Sequence, residues 1–580
     1  MQINLNRPAL SSVMKPHPVD EYTALFHEML DKPGKIDIGG LENAHRRIDS
    51  SLHRSANQDH INLSAFIYSA ERLPACLPLI KWIILGSTEK VFVDSGFGHV
   101  LLWNRVDAHR RRRRAHFDGR NVLAVLVNNI TDYDDLIPSL CAYQIEWNAM
   151  HRRLQSSPLR KALAEGRDRV STMEAEIRRL FNVNEKDWEL LRRLWADNWD
   201  RNLQLIAEAP KNIIVERLPL RAGDFKKTFT NWFEAIQNHF DDIDFEARPM
   251  YIVSSNTHSL VNLVSGFARH HQDEIMADTL DQIIDDDDAY LQHYWKQLKH
   301  EDESLRFNFL YYAQRSFFDR HPEYIPQMIA QEESVGIRRC NLDHYLNLEA
   351  QVIELDKIDC SRLDSSLKLF RVNPDCKNKQ FDRWKQEKAL IFNFDYPLGY
   401  AAYNLMKLIL AGVQRIKGVF ILGKSAAMIG RIGDIMIPNE VRDVHSAKLY
   451  RFRNVFSAGW LAPYLSAIAV FDEQRTLTVR GTFLHSRESV KDYRGIDFTG
   501  IEMETGPYLS ALYEHLEGMI ARDKKILDVR SPYPIGVLHY TSDTPYNLRA
   551  SLLSQRMSAK GLEATYACSR AILDCIAKIE

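Results

Sequence analysis

The chain has 580 residues, a length at which about two to four domains are expected. Its formal net charge of −2 at pH 7 gives no bulk attraction to nucleic acid or to an anionic membrane, and no apolar run is long enough to span a bilayer. The seven cysteines form no C-x-x-C pair, and the first residues lack a signal-peptide pattern, so we expect a cytoplasmic protein without a disulfide framework.

Residues 1–130 are predicted to mix short strands and helices, with strand-like apolar runs at 82–85, 90–93 and 121–127. A basic run, His109–Arg114, lies before the third of these strands. Such a run can contact phosphate or RNA. One short run on a nearly neutral chain is more typical of a solvated loop or helix face, which we favour, and no nucleic-acid partner is predicted.

Residues 131–345 are predicted to be mainly helical, because apolar side chains recur at helical spacing from 136 to 154 and from 177 to 195. About halfway along this region a strand at 249–253 is followed by the polar turn Ser254–Ser259 and a further helix. A Ser or Thr hydroxyl of this turn can cap that helix, or the amides of the turn can hold an anion. Capping alone is the simpler interpretation.

Residues 346–580 show a different pattern, in which apolar strands alternate with helices and glycine-bearing turns. The pattern predicts a mostly parallel sheet with helices on both faces, which is a three-layer αβα domain. The fold class expected for the whole chain is therefore α/β, with a mainly helical N-terminal region that contains some β structure. The predicted strands lie at 389–394, 418–422, 433–438, 465–471, 476–479, 498–503 and 535–540.

The segment Gly418–Ser425 matches the P-loop pattern G-x-x-x-x-G-K-[ST] letter for letter. A P-loop needs a flexible loop whose amides wrap phosphates and then open a helix. Here the four variable positions are Val, Phe, Ile and Leu, which themselves form a strand, and glycines follow in place of a helix. We therefore reject the P-loop interpretation.

Four other blocks carry chemistry and follow one another in a fixed order. They are Phe394–Ala401, Leu422–Met428 followed by the strand Gly433–Pro438, Glu502–Met503–Glu504, and Ser542–Asp543. Leu422–Met428 is predicted to be a strand end and a tight turn of small side chains. Together they resemble the purine nucleoside phosphorylase/nucleosidase superfamily over about residues 350–580, and most firmly over 391–547. The Gly423–Lys424 form is similar to that of AMP nucleosidase. The first 340 residues resemble no family that we can name.

The resemblance implies cleavage of the N-glycosidic bond of a purine nucleoside or nucleotide, with no metal or organic cofactor. Asp543 would protonate the leaving base, and its place at the end of an apolar strand suits a raised pKa. Glu504 would hold the ribose hydroxyls. The other predicted substrate-binding residues are Glu502 at the strand end, Met503 against the ribose, Phe483 under the base, and Gly423, Lys424 and Ser542.

One departure from the family pattern bears on the nucleophile. The phosphorylases carry an arginine that binds phosphate two positions before the turn glycine, where this chain has Ile421, and no G-x-P-x-R loop is found upstream of residue 390. Water is therefore the favoured nucleophile. A basic cluster after the turn either holds a 5′-phosphate or is a solvated strand edge. It consists of Lys424, Arg442, His445, Lys448 and Arg451.

Two alternatives stay open: a phosphate-dependent phosphorylase, and a nucleotide-binding regulatory protein without catalysis. The family usually oligomerises and completes its pocket with a neighbouring subunit, so the resemblance implies a homo-oligomer. The N-terminal half would then regulate, sense or oligomerise. The predicted divisions of the chain are 1–130, 131–345 and 346–580.

Overall fold

The computed structural model describes residues 17–32, 34–164, 170–220, 223–285, 303–342, 346–368, 379–518, 524–545 and 559–579. Its strands form two sheets. The strands are β1 (Lys35–Asp37), β2 (Trp82–Gly86), β3 (Asn104–Ala108), β4 (Arg111–Phe117), β5 (Val122–Leu126), β6 (Ile214–Arg217), β7 (Met250–Ser255), β8 (Ile337–Asn341), β9 (Glu349–Glu354), β10 (Leu390–Asp395), β11 (Ile416–Ala427), β12 (Ile435–Asp443), β13 (Lys448–Phe452), β14 (Val470–Thr478), β15 (Phe498–Glu502), β16 (Ile526–Val529) and β17 (Ile535–Asp543).

Helices lie between these strands throughout the described part of the chain. They are α1 (Pro18–Asp31), α2 (Glu42–Arg47), α3 (Leu63–Ala70), α4 (Glu89–Asp94), α5 (Ile130–Gln155), α6 (Leu159–Ala164), α7 (Val170–Phe181), α8 (Glu185–Trp195), α9 (Trp199–Glu208), α10 (Asp224–His239), α11 (Ser259–Ser265), α12 (Phe267–His270), α13 (Gln272–Asp285), α14 (Glu303–Arg320), α15 (Ile325–Ser334), α16 (Lys379–Glu387), α17 (Ala401–Ala411), α18 (Ala458–Leu461), α19 (Arg487–Gly495), α20 (Thr505–Glu517) and α21 (Ala559–Lys578). The chain is therefore mixed α/β.

The first sheet has the strand order β1-β6-β2-β5-β4-β3, with β2 parallel to both β5 and β6. The helices α3, α5 and α9 pack into its large core cluster. Helix α5 begins at a capping box, in which Asn129 accepts from the amide of Thr131 and Asp132 accepts from the amide of Asn129. This sheet accounts for the strands predicted at 82–85 and 121–127.

The second sheet has eleven strands and contains a closed ring. Strand β11 pairs with β17, β17 with β12, β12 with β14, β14 with β15, and β15 with β11 again. On the other side of β11 the order continues β7-β10-β9-β8. Parallel pairs join β10, β7, β11 and β17, so the carboxyl ends of these strands lie at one edge.

Helices cover both faces of this second sheet. One buried cluster joins the sheet to α11, α14 and α21, and another joins it to α10, α17 and α20. The apolar runs that predicted buried strands thus have packed helices on either side. The domain boundaries at 130 and 345 stay predictions; the two sheets divide the strands between Arg217 and Met250.

Three local predictions were wrong. Residues 90–93 belong to helix α4, because the hydroxyl of Thr88 accepts from the amide of Val91 and starts a helix. The run His109–Arg114 is neither a solvated loop nor a helix face, since Arg111–Arg114 form most of β4 and Arg113 and Arg114 are buried. The tight turn predicted at Leu422–Met428 is a continuation of β11 to Ala427, which leaves no phosphate-binding loop there.

Among the described helices, none has both the length and the apolarity needed to cross a membrane. Cys76, Cys141, Cys340, Cys568 and Cys575 are free thiols, whereas Cys360 is disulfide-bonded, which the sparse cysteine spacing did not predict.

Candidate functional site

A cavity of about 640 Å³ lies at the carboxyl ends of β7, β10, β11, β15 and β17. Its volume is within the roughly 300–1,000 Å³ of small-molecule sites, and ligands of open α/β sheets bind at such strand ends. The predicted residues that line it are Gly423, Lys424, Glu502, Met503, Glu504, Ser542 and Asp543.

The register of β11 brings the two predicted acids together. Ala426 pairs with Asp543 on one side and with Ile501 on the other. Because neighbouring strands lie about 4.8 Å apart, the backbones of Asp543 and Ile501 are roughly 10 Å apart. Glu504 comes three residues after Ile501 and lines the same cavity.

A bulge aims Asp543. In the β11–β17 ladder, Ser425 pairs with Thr541 and Ala426 pairs with Asp543, so Ser542 is an extra residue. Successive residues of a regular strand face opposite sides, yet Ser542 and Asp543 both line the cavity. The bulge re-aims the strand end, which is a common feature beside functional sites.

Glu504 is buried at the start of α20. Its carboxyl group accepts from the amide of Gly399 at 2.9 Å and from the amide of Met503 at 3.3 Å. Gly399 has φ +56°, and a Cβ there would collide with Thr131, so the loop that supplies this amide requires glycine. Burial, and then the charge of Glu502, raises the pKa of Glu504 to about 8.

Glu502 supports the backbone at the start of α20. Its carboxylate accepts from the amides of Glu504 at 2.7 Å and Thr505 at 2.6 Å, and from the hydroxyl of Thr478. These amides are the first, otherwise unpaired donors of α20. Burial raises the pKa of Glu502, while these hydrogen bonds oppose the rise. Glu502 therefore fixes the end of β15 and the backbone of Glu504.

Asp543 lies in a mixed environment. Burial raises the pKa of its carboxyl group, and the charges of Arg72 and Lys424 partly offset that rise. The guanidinium of Arg72 stacks on the ring of Tyr68, 3.3 Å from its centroid. No described residue is hydrogen-bonded to the Asp543 carboxyl group, so it is open to a ligand within the part of the chain that the structure describes.

The N-terminal part of the same chain supplies one side of the cavity, which we call the N-terminal wall: Tyr68, Arg72 and Arg110–Arg113. Arg111 is held by Asp135 at 2.6 and 2.8 Å, and Arg113 by Asp132 and Asp135. Burial alone would raise the pKa of Asp135, but Arg111 and Arg113 more than offset this and hold it well below its usual range.

Sequence reasoning missed the N-terminal wall. Its only signal in the sequence was the arginine run. An arginine that is paired with a carboxylate can be buried, whereas an unpaired arginine is rarely buried. The family resemblance implied that a neighbouring subunit completes the pocket; residues from the N-terminal part of this same chain contribute to its lining. Oligomerisation stays a prediction.

Several buried polar atoms of the cavity lining have no hydrogen-bond partner among the described residues. Buried polar atoms are nearly always paired, so such a group favours a polar ligand. Gly423 allows the Tyr396 hydroxyl to approach β11, because a Cβ at Gly423 would overlap that hydroxyl. The unpaired atoms include Ser425 Oγ, Asp395 Oδ1 and Arg72 Nε.

Two predictions about the site differ from the structure. Phe483 does not line the cavity: it is 1% exposed and packs with Leu52, Tyr68 and Ala142. The basic cluster does not converge, since Lys424 lines the cavity whereas its other four members do not. Arg451 pairs with Glu440, and Lys448 donates to the carbonyl of Lys524, just before β16. Strand alternation and the β12–β13 hairpin separate them from Lys424.

The polar turn Ser254–Ser259 caps a helix, as the simpler interpretation predicted, and also lies on the cavity. Asn256 accepts from the amides of His258 and Ser259 and so caps α11. Asn256, Thr257 and His258 also line the cavity. The cap was predicted in the right place, although Asn256 rather than a hydroxyl supplies it.

No curated protein matches the chain in sequence. Among solved structures, it is similar to a 5′-methylthioadenosine/S-adenosylhomocysteine nucleosidase from Neisseria meningitidis in complex with methylthio-immucillin-A. The identity is 13% and the TM-score 0.28, over 44% of this chain and 95% of that one. For the corresponding nucleosidase from S. pneumoniae these values are 11% and 0.26, over 45% and 96%.

A methylthioadenosine phosphorylase from Schistosoma mansoni is also similar, with 9% identity and a TM-score of 0.23, over 32% of this chain and 77% of that one. These similarities extend over less than half of this chain. A family model, by contrast, matches residues 38–578, and the chain therefore belongs to that family, DUF6909, a family of unknown function.

Proposed function

We propose that the protein cleaves the N-glycosidic bond of a purine nucleoside or nucleotide by hydrolysis. The observation that carries the proposal is the convergence of Asp543 and Glu504 on one cavity. Asp543 ends β17 and Glu504 follows β15, and both strands pair with Ala426 of β11. A raised pKa and an open carboxyl group suit Asp543 to donate a proton, and the buried, doubly hydrogen-bonded Glu504 suits a fixed contact.

In the proposed reaction Asp543 donates its proton to a ring nitrogen of the purine. The bond between that base and the ribose then breaks, and the bonding electrons leave with the base. Water attacks the anomeric carbon and returns a proton to the Asp543 carboxylate, so the acid is regenerated. A positioned acid of this kind contributes roughly 10²–10⁴-fold to a rate.

Glu504 holds the sugar in this scheme. Its carboxylate accepts hydrogen bonds from ribose hydroxyls, while the amides of Gly399 and Met503 keep it in place. Hydroxyl donors favour the charged form of a carboxyl group, so ribose binding lowers the pKa of Glu504 from about 8. Met503 lines the cavity next to Glu504 and offers an apolar contact to the ribose.

The test is incubation of the purified full chain with a panel of purine nucleosides and nucleotides, in buffers with and without phosphate, followed by chromatography of free base. Base release in phosphate-free buffer supports hydrolysis. Binding of the same ligands without any base release would contradict the proposal and favour a regulatory, non-catalytic protein.

Phosphorolysis is the second candidate. The observation that favours it is the presence of Arg315 and Lys424 on the cavity lining, neither of which is ion-paired with a described residue. Base release that requires inorganic phosphate, with a sugar 1-phosphate as the second product, would identify this reaction.

A further inference from the structure

Two cations of the cavity lining, Arg315 and Lys424, differ from the arginines of the N-terminal wall in their ion pairing. Arg110, Arg111, Arg112 and Arg113 each have a carboxylate partner: Glu71, Asp135, Asp395 and Asp132, respectively. Arg315 and Lys424 are exposed, and neither has a hydrogen bond or ion pair with a described residue.

These two cations of the cavity lining belong to different elements. Arg315 is on α14, which packs against one face of the second sheet, and Lys424 is near the carboxyl end of β11. Both lie near His258, in the turn after β7. Burial lowers the pKa of the His258 imidazole to about 3, and the charges of Arg315 and Lys424 contribute to that fall. The imidazole is therefore neutral and can donate one N–H.

The described carboxylates close to His258 already have arginine partners. Asp395 forms an ion pair with Arg112, and Glu332 and Glu349 share Arg339 at 2.5 and 2.8 Å. None of these carboxylates forms an ion pair with Arg315 or Lys424. An anionic group such as phosphate would give these two cations a partner.

We propose that His258, Arg315 and Lys424 form a phosphate subsite at one end of the cavity. The phosphate group is either that of a nucleotide or inorganic phosphate. The first source rests on the proposed function. In that function Asp543 contacts the base and Glu504 contacts the ribose hydroxyls, so the phosphate of the nucleotide is free to bind at this subsite. Affinity for the phosphate group itself does not depend on bond cleavage.

The test measures binding to the full chain by calorimetry with three probes: adenosine, adenosine 5′-monophosphate and inorganic phosphate. Arg315→Ala is the main variant, because Arg315 is not among the charges that act on Asp543. Its matched control is Arg306→Ala, an exposed arginine of the same helix outside the cavity. Lys424→Ala is compared in the same way with Lys491→Ala on α19.

We expect Arg315→Ala to weaken binding of the phosphate-bearing probes by about ten-fold or more and to leave adenosine binding within about two-fold. Binding of these probes should also fall with added salt more steeply than that of adenosine. Arg315→Lys should retain more affinity than Arg315→Ala. Equal affinities of Arg315→Ala and Arg306→Ala for all three probes would overturn the proposal, and a matching melting temperature shows that a weakened variant is folded.

The two sources of phosphate give different results. If the nucleotide supplies it, inorganic phosphate competes with adenosine 5′-monophosphate and does not stimulate base release. If it is a co-substrate, inorganic phosphate stimulates base release from adenosine. Wild-type protein that binds the nucleotide through Arg315 but releases no base would contradict the proposed function and leave the subsite standing.

Discussion

The carboxyl group of Glu504 accepts a hydrogen bond of 2.9 Å from the amide nitrogen of Gly399, which joins the start of α20 to the loop after β10. This bond favours the charged form of Glu504. Burial and the neighbouring Glu502 outweigh it, so the pKa of Glu504 lies near 8 instead of 4.5.

That raised pKa makes stability fall with pH. Between about pH 4.5 and 8 the folded protein holds a proton on Glu504 that the unfolded chain has lost, so the free energy of unfolding decreases as pH rises through this window. Glu504→Gln removes the titration. We expect this variant to lose less stability than the wild type between pH 5 and 8.5 in urea denaturation, while Glu517→Gln, at an exposed site on the same helix, should follow the wild type. Parallel curves for all three would contradict the shift.

Asp543→Asn tests the proton donor. The amide keeps the size of the side chain but cannot act as an acid, so we expect base release to fall at least about ten-fold while ligand affinity is preserved. The measurement is initial-rate chromatography together with calorimetric affinity. Asp528→Asn, at an exposed position on β16, is the control. Unchanged turnover in Asp543→Asn would remove Asp543 from the mechanism.

Gly423→Ala tests the close approach of Tyr396 to β11. The added Cβ would overlap the Tyr396 hydroxyl. Gly423 is buried and Tyr396 is partly buried, so either the ring or the strand must shift. Overpacking of this kind costs about 1–3 kcal/mol of stability, and we expect ligand affinity to fall as well. Gly495→Ala, where a Cβ meets nothing within 4 Å, should change neither quantity appreciably. Equal denaturation midpoints for Gly423→Ala and the wild type would show that the Tyr396 ring moves aside without a cost in stability.

Asp135→Asn tests the support of the N-terminal wall. The substitution leaves Arg111 without its buried carboxylate partner, and breaking such a pair costs about 3–5 kcal/mol. Because the pKa of Asp135 is depressed, the stability that it supplies is present above about pH 3.8 and is lost as pH falls further. Denaturation at pH 7 should therefore show the full effect. Asp107→Asn, which removes an exposed ion pair with Arg105, should cost less than about 1 kcal/mol.

Much of the second sheet could be predicted from local pattern. The apolar runs of β10, β11 and β17 are continuous and bounded by turn residues, as expected for strands covered on both faces. The family resemblance assigned Glu504 and Asp543 to one substrate site, and in the structure both line one cavity.

The rest depends on contacts between distant parts of the chain. Nothing near Arg111 indicates that Asp135, on a helix beyond the next strand, will neutralise it and allow it to be buried. The bulge at Ser542 is likewise visible only when β17 is paired with β11. The place of Phe483 was wrong because an aromatic residue suits a buried cluster and a ligand pocket equally well.

Ala426 lies between the two strands that position the acids. On one side it pairs with Asp543, and on the other with Ile501, which leads to Glu504. The spacing of these two groups is set by the backbone ladder, whereas the N-terminal wall contacts the end of β10 through the side chains of Arg112 and Asp395. The separation of the two acids therefore does not depend on the side chains that form the wall.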